Sequence, residues 1–126
     1  MTQIILFFAI SICTTVGAHL LFKKGVLKLG ELNFSFSSMF HIVGQILQNV
    51  WIILGVILFG ISFFTWLFIL SKMQLNIAYP IIISVEAILV TIISWFLFHE
   101  YLSWPQILGI VAIIIGIFLI YTKGAV

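Results

Sequence analysis

Four stretches of this chain run for about twenty residues on apolar side chains: Ile4–Phe22, Val50–Leu70, Ile77–Phe98 and Trp104–Tyr121. Three of them contain neither an acid nor a lysine, and the third contains one acid, Glu86. An α-helix needs about 20 such residues to cross the hydrocarbon of a bilayer, where every backbone N–H and C=O must be satisfied inside the segment. The expected fold is therefore all-α, an integral membrane bundle of four transmembrane helices in a single domain over residues 1–126. The rest of the composition agrees. Only 6% of the 126 residues are charged, as five lysines and three glutamates with no Arg or Asp. A soluble domain carries about 25%. That deficit excludes a soluble enzyme, a disordered chain and a nucleic-acid binder, which would need a basic patch. A net charge of +2 is too small to specify a polyanionic partner.

The ends of the spans carry the expected punctuation. The first closes on Lys23-Lys24, the second on Ser71-Lys72, the third on His99-Glu100 and the fourth on Thr122-Lys123. The first run is 19 residues long, with no basic residue before it and no small-residue cleavage site after it, so it reads as a retained helix. Pro105 suits the first turn of the last helix, where a missing N–H costs nothing. Trp51, Tyr101, Trp104 and Tyr121 fall near span ends, as an interfacial belt places them, while Trp66 and Trp95 lie deeper, at packing or cavity positions. Loops of a few residues after the second and third spans require antiparallel neighbours. Three lysines on one side oppose two on the other, so the bias on orientation is slight and insertion both ways is compatible with it.

Between the first two spans, residues 38–49 change character. Met39, Phe40, Val43, Ile46, Leu47 and Val50 repeat at helical spacing, with His41, Gln45 and Gln48 on another side. This pattern predicts a short amphipathic helix in the membrane interface, N-capped by Ser38, with a re-entrant start to the second span as the alternative.

Two features point to close packing. Gly109 and Gly116, seven residues apart, share one face of a helix otherwise almost all Ile, which suits dimerisation or a contact within the bundle. Pro80, Ser84, Ala87, Thr91 and Ser94 form a small-residue stripe on the third span, expected to pack against a neighbour. Pro80 also removes a backbone hydrogen bond near the start of that helix. Cys13, alone in an apolar run, implies no disulfide or metal cluster, and no cofactor is expected.

The candidate chemistry is sparse. Glu86 falls at the middle of its span, where an acid costs about 2.5–3.5 kcal/mol on insertion scales and is kept only for a cavity or a partner. Tyr79 lies on its face one heptad earlier, and the small stripe is a quarter-turn away. On the first span Thr15, His19 and Lys23 recur at i, i+4 and i+8, a polar stripe that ends in a cation. Hydroxyl, imidazole and ammonium together suit an anionic headgroup such as a phosphate. A structural acid, a snorkelling lysine and a backbone-bonded histidine are the plain alternatives. The candidate substrate-binding set is Glu86, His19, Lys23, Thr15, Tyr79 and Trp66, with no catalytic and no metal-binding residue. No Gly-rich phosphate loop or His/Cys metal spacing supports hydrolysis or group transfer.

Several stretches carry a family resemblance. They are Val16-Gly17-Ala18-His19-Leu20-Leu21-Phe22-Lys23, Asn76-Ile77-Ala78-Tyr79-Pro80, Ser94-Trp95-Phe96-Leu97-Phe98-His99-Glu100, and Gln106-Ile107-Leu108-Gly109 followed by Gly116. Together they resemble the drug/metabolite transporter superfamily in its four-helix, EamA-like or small multidrug-resistance-like form. The pattern is most similar to aminoarabinose-phosphoundecaprenol flippase subunits, which share Ile-Ala-Tyr-Pro. Small multidrug-resistance exporters share Ile-Ala-Tyr and the seven-residue glycine spacing, which in them pairs two subunits. They also carry an essential glutamate three residues before the glycine matched by Gly17, where this chain has Thr14, and they lack the segment from Phe34 to Asn49. The resemblance implies a bacterial inner-membrane transporter that works as a homodimer, or as a heterodimer with a related four-helix subunit, on an amphipathic lipid-linked phosphate such as a polyprenyl-phosphate sugar. Two alternatives stay open: a proton-coupled exporter of small cations using Glu86, and a non-transporting helper of a membrane enzyme.

Overall fold

The computed structural model describes residues 1–31, 33 and 35–124, with the side chains of residues 1–122 other than 32 and 34. Phe34, where the inserted segment begins, and the Lys123 side chain, used above for orientation, lie outside the described residues. The chain is all-helical among those residues: α1 (Thr2–Leu29), α2 (Met39–Gln48), α3 (Val50–Lys72), α4 (Leu75–Phe98) and α5 (Trp104–Gly124). Four of these, α1, α3, α4 and α5, are long and apolar enough to cross a membrane, as the hydropathy of the sequence requires. With 28 residues at 1.5 Å each, α1 is about 42 Å long against a hydrocarbon core of about 30 Å. Its C-terminal turns, with Lys23, Lys24 and Lys28, therefore extend into the headgroup region.

The principal seam is between α1 and α3, and small side chains create it. Ala18 is fully buried, and a Cβ placed on Gly55 would stand 2.7 Å from the Phe22 ring and 3.2 Å from the Ala18 carbonyl oxygen. A Cβ on Gly25 would stand 2.5 Å from Ile52. Hydroxyls complete the seam: Ser62 of α3 hydrogen-bonds Thr15 and lies 3.2 Å from the Ser11 hydroxyl. Backbones that approach this closely gain dispersion contact that lipid tails cannot match. At one end of the bundle, Ile69, Ala78 and Ile82 form a buried cluster with Phe8, Ile12 and Trp66 against it. At the other end, Asn49 joins three elements. Its side-chain oxygen accepts from the N–H groups of Trp51 and Ile52, capping α3, and its amide donates to the Gly25 carbonyl at 2.9 Å.

Two local expectations need correction. Ser38 precedes α2 but makes no cap bond to it. Its hydroxyl turns back into the preceding turn and donates to the Asn33 carbonyl at 2.8 Å. Extended backbone at Asn49 separates α2 from α3. The small stripe of α4 is not the tight seam either. Ala78 and Ile82 are the buried α4 residues, whereas Ala87 is exposed. The reason is that α1 already satisfies its small face with α3, so α4 meets the bundle chiefly through its N-terminal half.

Within α2, Ile42 is buried, while Phe40, Val43 and Leu47 are exposed on the opposite side of the apolar arc. Such a helix has one apolar edge for the bundle and one for lipid, with His41 and Gln48 left to water. At the start of α5, Ser103 and Gln106 pair with each other. Gln106 accepts from the backbone N–H and the hydroxyl of Ser103, and Pro105 lies inside the first turn.

Candidate functional site

Because α1 and α3 close on each other, the outer flank of α1 is left to face α4 across a groove of about 540 Å³. From α1 come His19, Leu20 and Lys23, and from α4 come Ile83, Glu86, Ala87, Val90 and Ser94. Glu100, just past α4, closes the mouth. The walls are mostly apolar, so the few polar groups set what the groove can hold.

Those groups are ordered by depth. At the mouth, the Lys23 ammonium lies 3.1 Å from a Glu100 carboxylate oxygen, with both side chains close to half exposed. An ion pair this open contributes about 0–1 kcal/mol, so an incoming anion can compete for the lysine. One turn deeper is His19, set edge-on to Phe22 at 6.5 Å between centroids. Glu86 lies deepest, half-buried at the centre of α4 with the Thr15 hydroxyl as its neighbour. Eight residues separate Thr15 from Lys23, which places Glu86 about 12 Å below the mouth.

His99 makes this arrangement possible. It ends α4 in the left-handed region, at φ 52°, and so turns Glu100 back towards α1. Histidine is among the non-glycine residues that enter this region, and here it ends the helix.

The six sequence-derived candidates separate into three groups. His19, Lys23 and Glu86 come together in the groove. Thr15 shares their stripe but is buried against Ser62, because each step of four residues rotates 40° around the helix. Trp66 and Tyr79 pair with each other, 6.1 Å between centroids, beside the Ile69 cluster rather than in the groove. The groove also contains two small residues of the α4 stripe, Ala87 and Ser94, which give it width. Glu100 was missed as a site residue. Its signal was topological: with short loops after the second and third spans, the ends of the first and third spans share one membrane face, which sets Lys23 and Glu100 together.

Gly109 and Gly116 line none of the described cavities, and a Cβ on either would meet nothing within 4 Å. Their face of α5 is open in the single chain, since α5 packs chiefly on α4.

Comparison with known proteins agrees with this architecture. The profile of the EamA-like transporter family matches residues 3–122. The chain is 36% identical over 76 residues to an Aeromonas hydrophila protein named a probable 4-amino-4-deoxy-L-arabinose-phosphoundecaprenol flippase subunit ArnE, a match covering 60% of this chain and 66% of that one. A relative of the same name from Aeromonas salmonicida is 38% identical over the same length, again with 66% of its chain covered, just under two thirds. A Proteus mirabilis protein named a probable flippase subunit ArnF of the same type is 33% identical over 110 residues, covering 84% of this chain and 82% of its own. No solved structure matches the chain significantly. With four membrane-crossing helices and a family match over nearly its whole length, this is a multi-pass protein of the bacterial inner membrane, and it belongs to the EamA-like transporter family.

Proposed function

We propose that the chain carries an amphipathic lipid-linked phosphate, such as a polyprenyl-phosphate sugar, across the bilayer, acting as one subunit of a pair and performing no covalent chemistry. The observation that carries this reading is the groove between α1 and α4, with a cation at its mouth and an acid near its middle. Lys23 would take the phosphate in place of Glu100, one charge-assisted partner replacing another in a pair open enough to exchange. The groove holds carboxylates as well as an ammonium, so the best-matched headgroup carries both signs. An amino-sugar phosphate does so: its phosphate suits Lys23, and its amine suits Glu86 or Glu100. The names of the ArnE and ArnF relatives refer to such a substrate and to subunits, which supports the class of cargo and a pairing with a related four-helix chain. The polyprenyl tail would stay in lipid while the head descends past His19.

A single chain supplies only two walls for this passage. The open face of α5 with Gly109 and Gly116 is the surface we assign to the second subunit, whose close approach would enclose the cavity at the midplane.

The test is a flipping assay in proteoliposomes with a fluorescent polyprenyl phosphate bearing an amino sugar, followed by quencher accessibility. The chain is reconstituted alone and with a related four-helix subunit. Acceleration above protein-free vesicles, lost in Lys23→Gln, is the expected result. No acceleration under either condition would overturn the reading and leave a helper role, while transport of small organic cations instead would establish an exporter.

A further inference from the structure

On the opposite flank of Leu20 lies a second cleft of about 310 Å³ between the ends of α1, α3 and α4. Its walls are Leu20, Leu21, Leu97 and Phe98, and its rim carries Lys24 and Trp51. The Lys24 ammonium lies 3.8 Å from the centre of the Trp51 ring and the Lys28 ammonium 5.0 Å from it. We infer that Lys24, Lys28 and this cleft form a binding site for an anionic glycerophospholipid, separate from the transport groove.

Three observations support the assignment. First, the two ammoniums converge on one indole, and among the described residues neither makes an ion pair, whereas Lys23 does. Two unneutralised cations one helical turn apart repel each other, and a phosphate diester between them removes that repulsion. Second, the rim is held in place before any ligand arrives. Asn49 caps α3 at Trp51 and binds the Gly25 carbonyl in the lysine-bearing turn of α1, so ring and lysines are tied together by one side chain. Third, the cleft beneath is lined by leucine and phenylalanine, which suits the first methylenes of an acyl chain and gives nothing to a free ion.

The same geometry selects the headgroup. Choline and ethanolamine heads would bring a further cation to a ring whose neighbourhood already holds two lysines. A glycerol head brings only the phosphate charge. Anionic lipid is attracted to juxtamembrane lysines generally; here the aromatic ring and the cleft turn that attraction into a defined site.

The test uses the purified full chain and native mass spectrometry with phosphatidylglycerol, phosphatidylcholine and inorganic phosphate as probes. Wild type should retain phosphatidylglycerol in preference to phosphatidylcholine. The double variant K24Q/K28Q should weaken that retention by about tenfold or more, and K24R/K28R should restore it. Lys23→Gln should keep the preference, because its lysine faces the other groove. The proposal is overturned if K24Q/K28Q retains phosphatidylglycerol like wild type or if phosphatidylcholine is held equally well. It is also overturned if inorganic phosphate displaces the lipid at equal concentration, which would indicate a bare ion site, or if Lys23→Gln abolishes the preference, which would move the lipid to the transport groove.

Discussion

Glycine-to-alanine exchange should separate the seam inside the chain from the surface proposed between chains. At Gly25 the added Cβ would stand 2.5 Å from Ile52 Cγ1 and 3.2 Å from the Asn49 side-chain oxygen. Carbon atoms prefer about 3.5–4.0 Å, so the methyl intrudes by about 1 Å. Ile52 is buried and β-branched, and its Cγ1 cannot retreat without leaving its rotamer. Opening α1 from α3 would instead stretch the Asn49 clip. Overpacking of this kind costs about 1–3 kcal/mol. At Gly55 the intruded group is the Phe22 ring at 2.7 Å, which can swing, so the cost should fall in the lower half of that range. Gly109→Ala and Gly116→Ala meet nothing within 4 Å and should leave the single chain unstrained. Thermal unfolding in detergent, at dilutions where the chain is monomeric, gives the comparison. Gly25→Ala should lower the midpoint most, Gly55→Ala less, and the α5 variants not at all. Self-association, or association with a related subunit, should show the reverse order, most clearly with Leu at both α5 positions. Wild-type melting of Gly25→Ala would refute the α1–α3 packing. A loss of monomer stability in Gly109→Ala would show that this face is used within the bundle.

Four further outcomes follow. Lys23→Gln removes a charge-assisted partner worth about 1.5–3 kcal/mol, so binding of a polyprenyl phosphate, titrated by fluorescence, should weaken by at least about tenfold with unchanged melting. Glu86→Gln keeps shape and removes titration; if the acid moves a proton during transport, the dependence of flipping rate on pH should flatten, and an unchanged profile would limit Glu86 to shaping the groove. Asn49→Ala deletes the α3 cap and the bond to Gly25, and should cost about 1–2 kcal/mol in detergent unfolding. His99→Val places a β-branched residue at φ 52° and should cost about 1 kcal/mol or more, while His99→Gly should be tolerated.

The number and placement of the crossing helices were legible because hydropathy alone enforces them. Ile77–Phe98 can satisfy its backbone in lipid only as a helix, and α4 spans Leu75–Phe98. Groups that are expensive in lipid were also legible, which is why His19, Lys23 and Glu86 could be singled out before their mutual position was known. What the pattern did not disclose was which small residues meet. Ser11, Thr15, Ala18 and Gly25 recur on α1 at spacings of four, three and seven, a small-residue face at least as regular as Pro80–Ser94. Both stripes were possible seams, and periodicity carries no information about which of two candidate faces is occupied. Trp66 and Tyr79 lie outside the groove for a related reason: depth in the membrane follows from position along a span, but direction around the bundle follows only from packing.

The position of Thr15 shows how the seam and the groove constrain each other. Its hydroxyl is bonded to Ser62 across the α1–α3 contact, and it is also the neighbour of the Glu86 carboxyl. One side chain therefore lies between the rigid pair α1–α3 and the acid of the groove. If α4 shifts while α1 and α3 stay together, the Thr15–Glu86 contact is the one that changes, and the Thr15–Ser62 bond is preserved. A groove able to open and close would then move along α4, where Pro80 has already removed one backbone hydrogen bond and Ala87 and Ser94 offer little steric resistance. The weak ion pair at the mouth follows the same division, since Lys23 belongs to the α1–α3 pair and Glu100 to the end of α4. An anion that takes Lys23 from Glu100 removes only that weak contact between the end of α4 and α1.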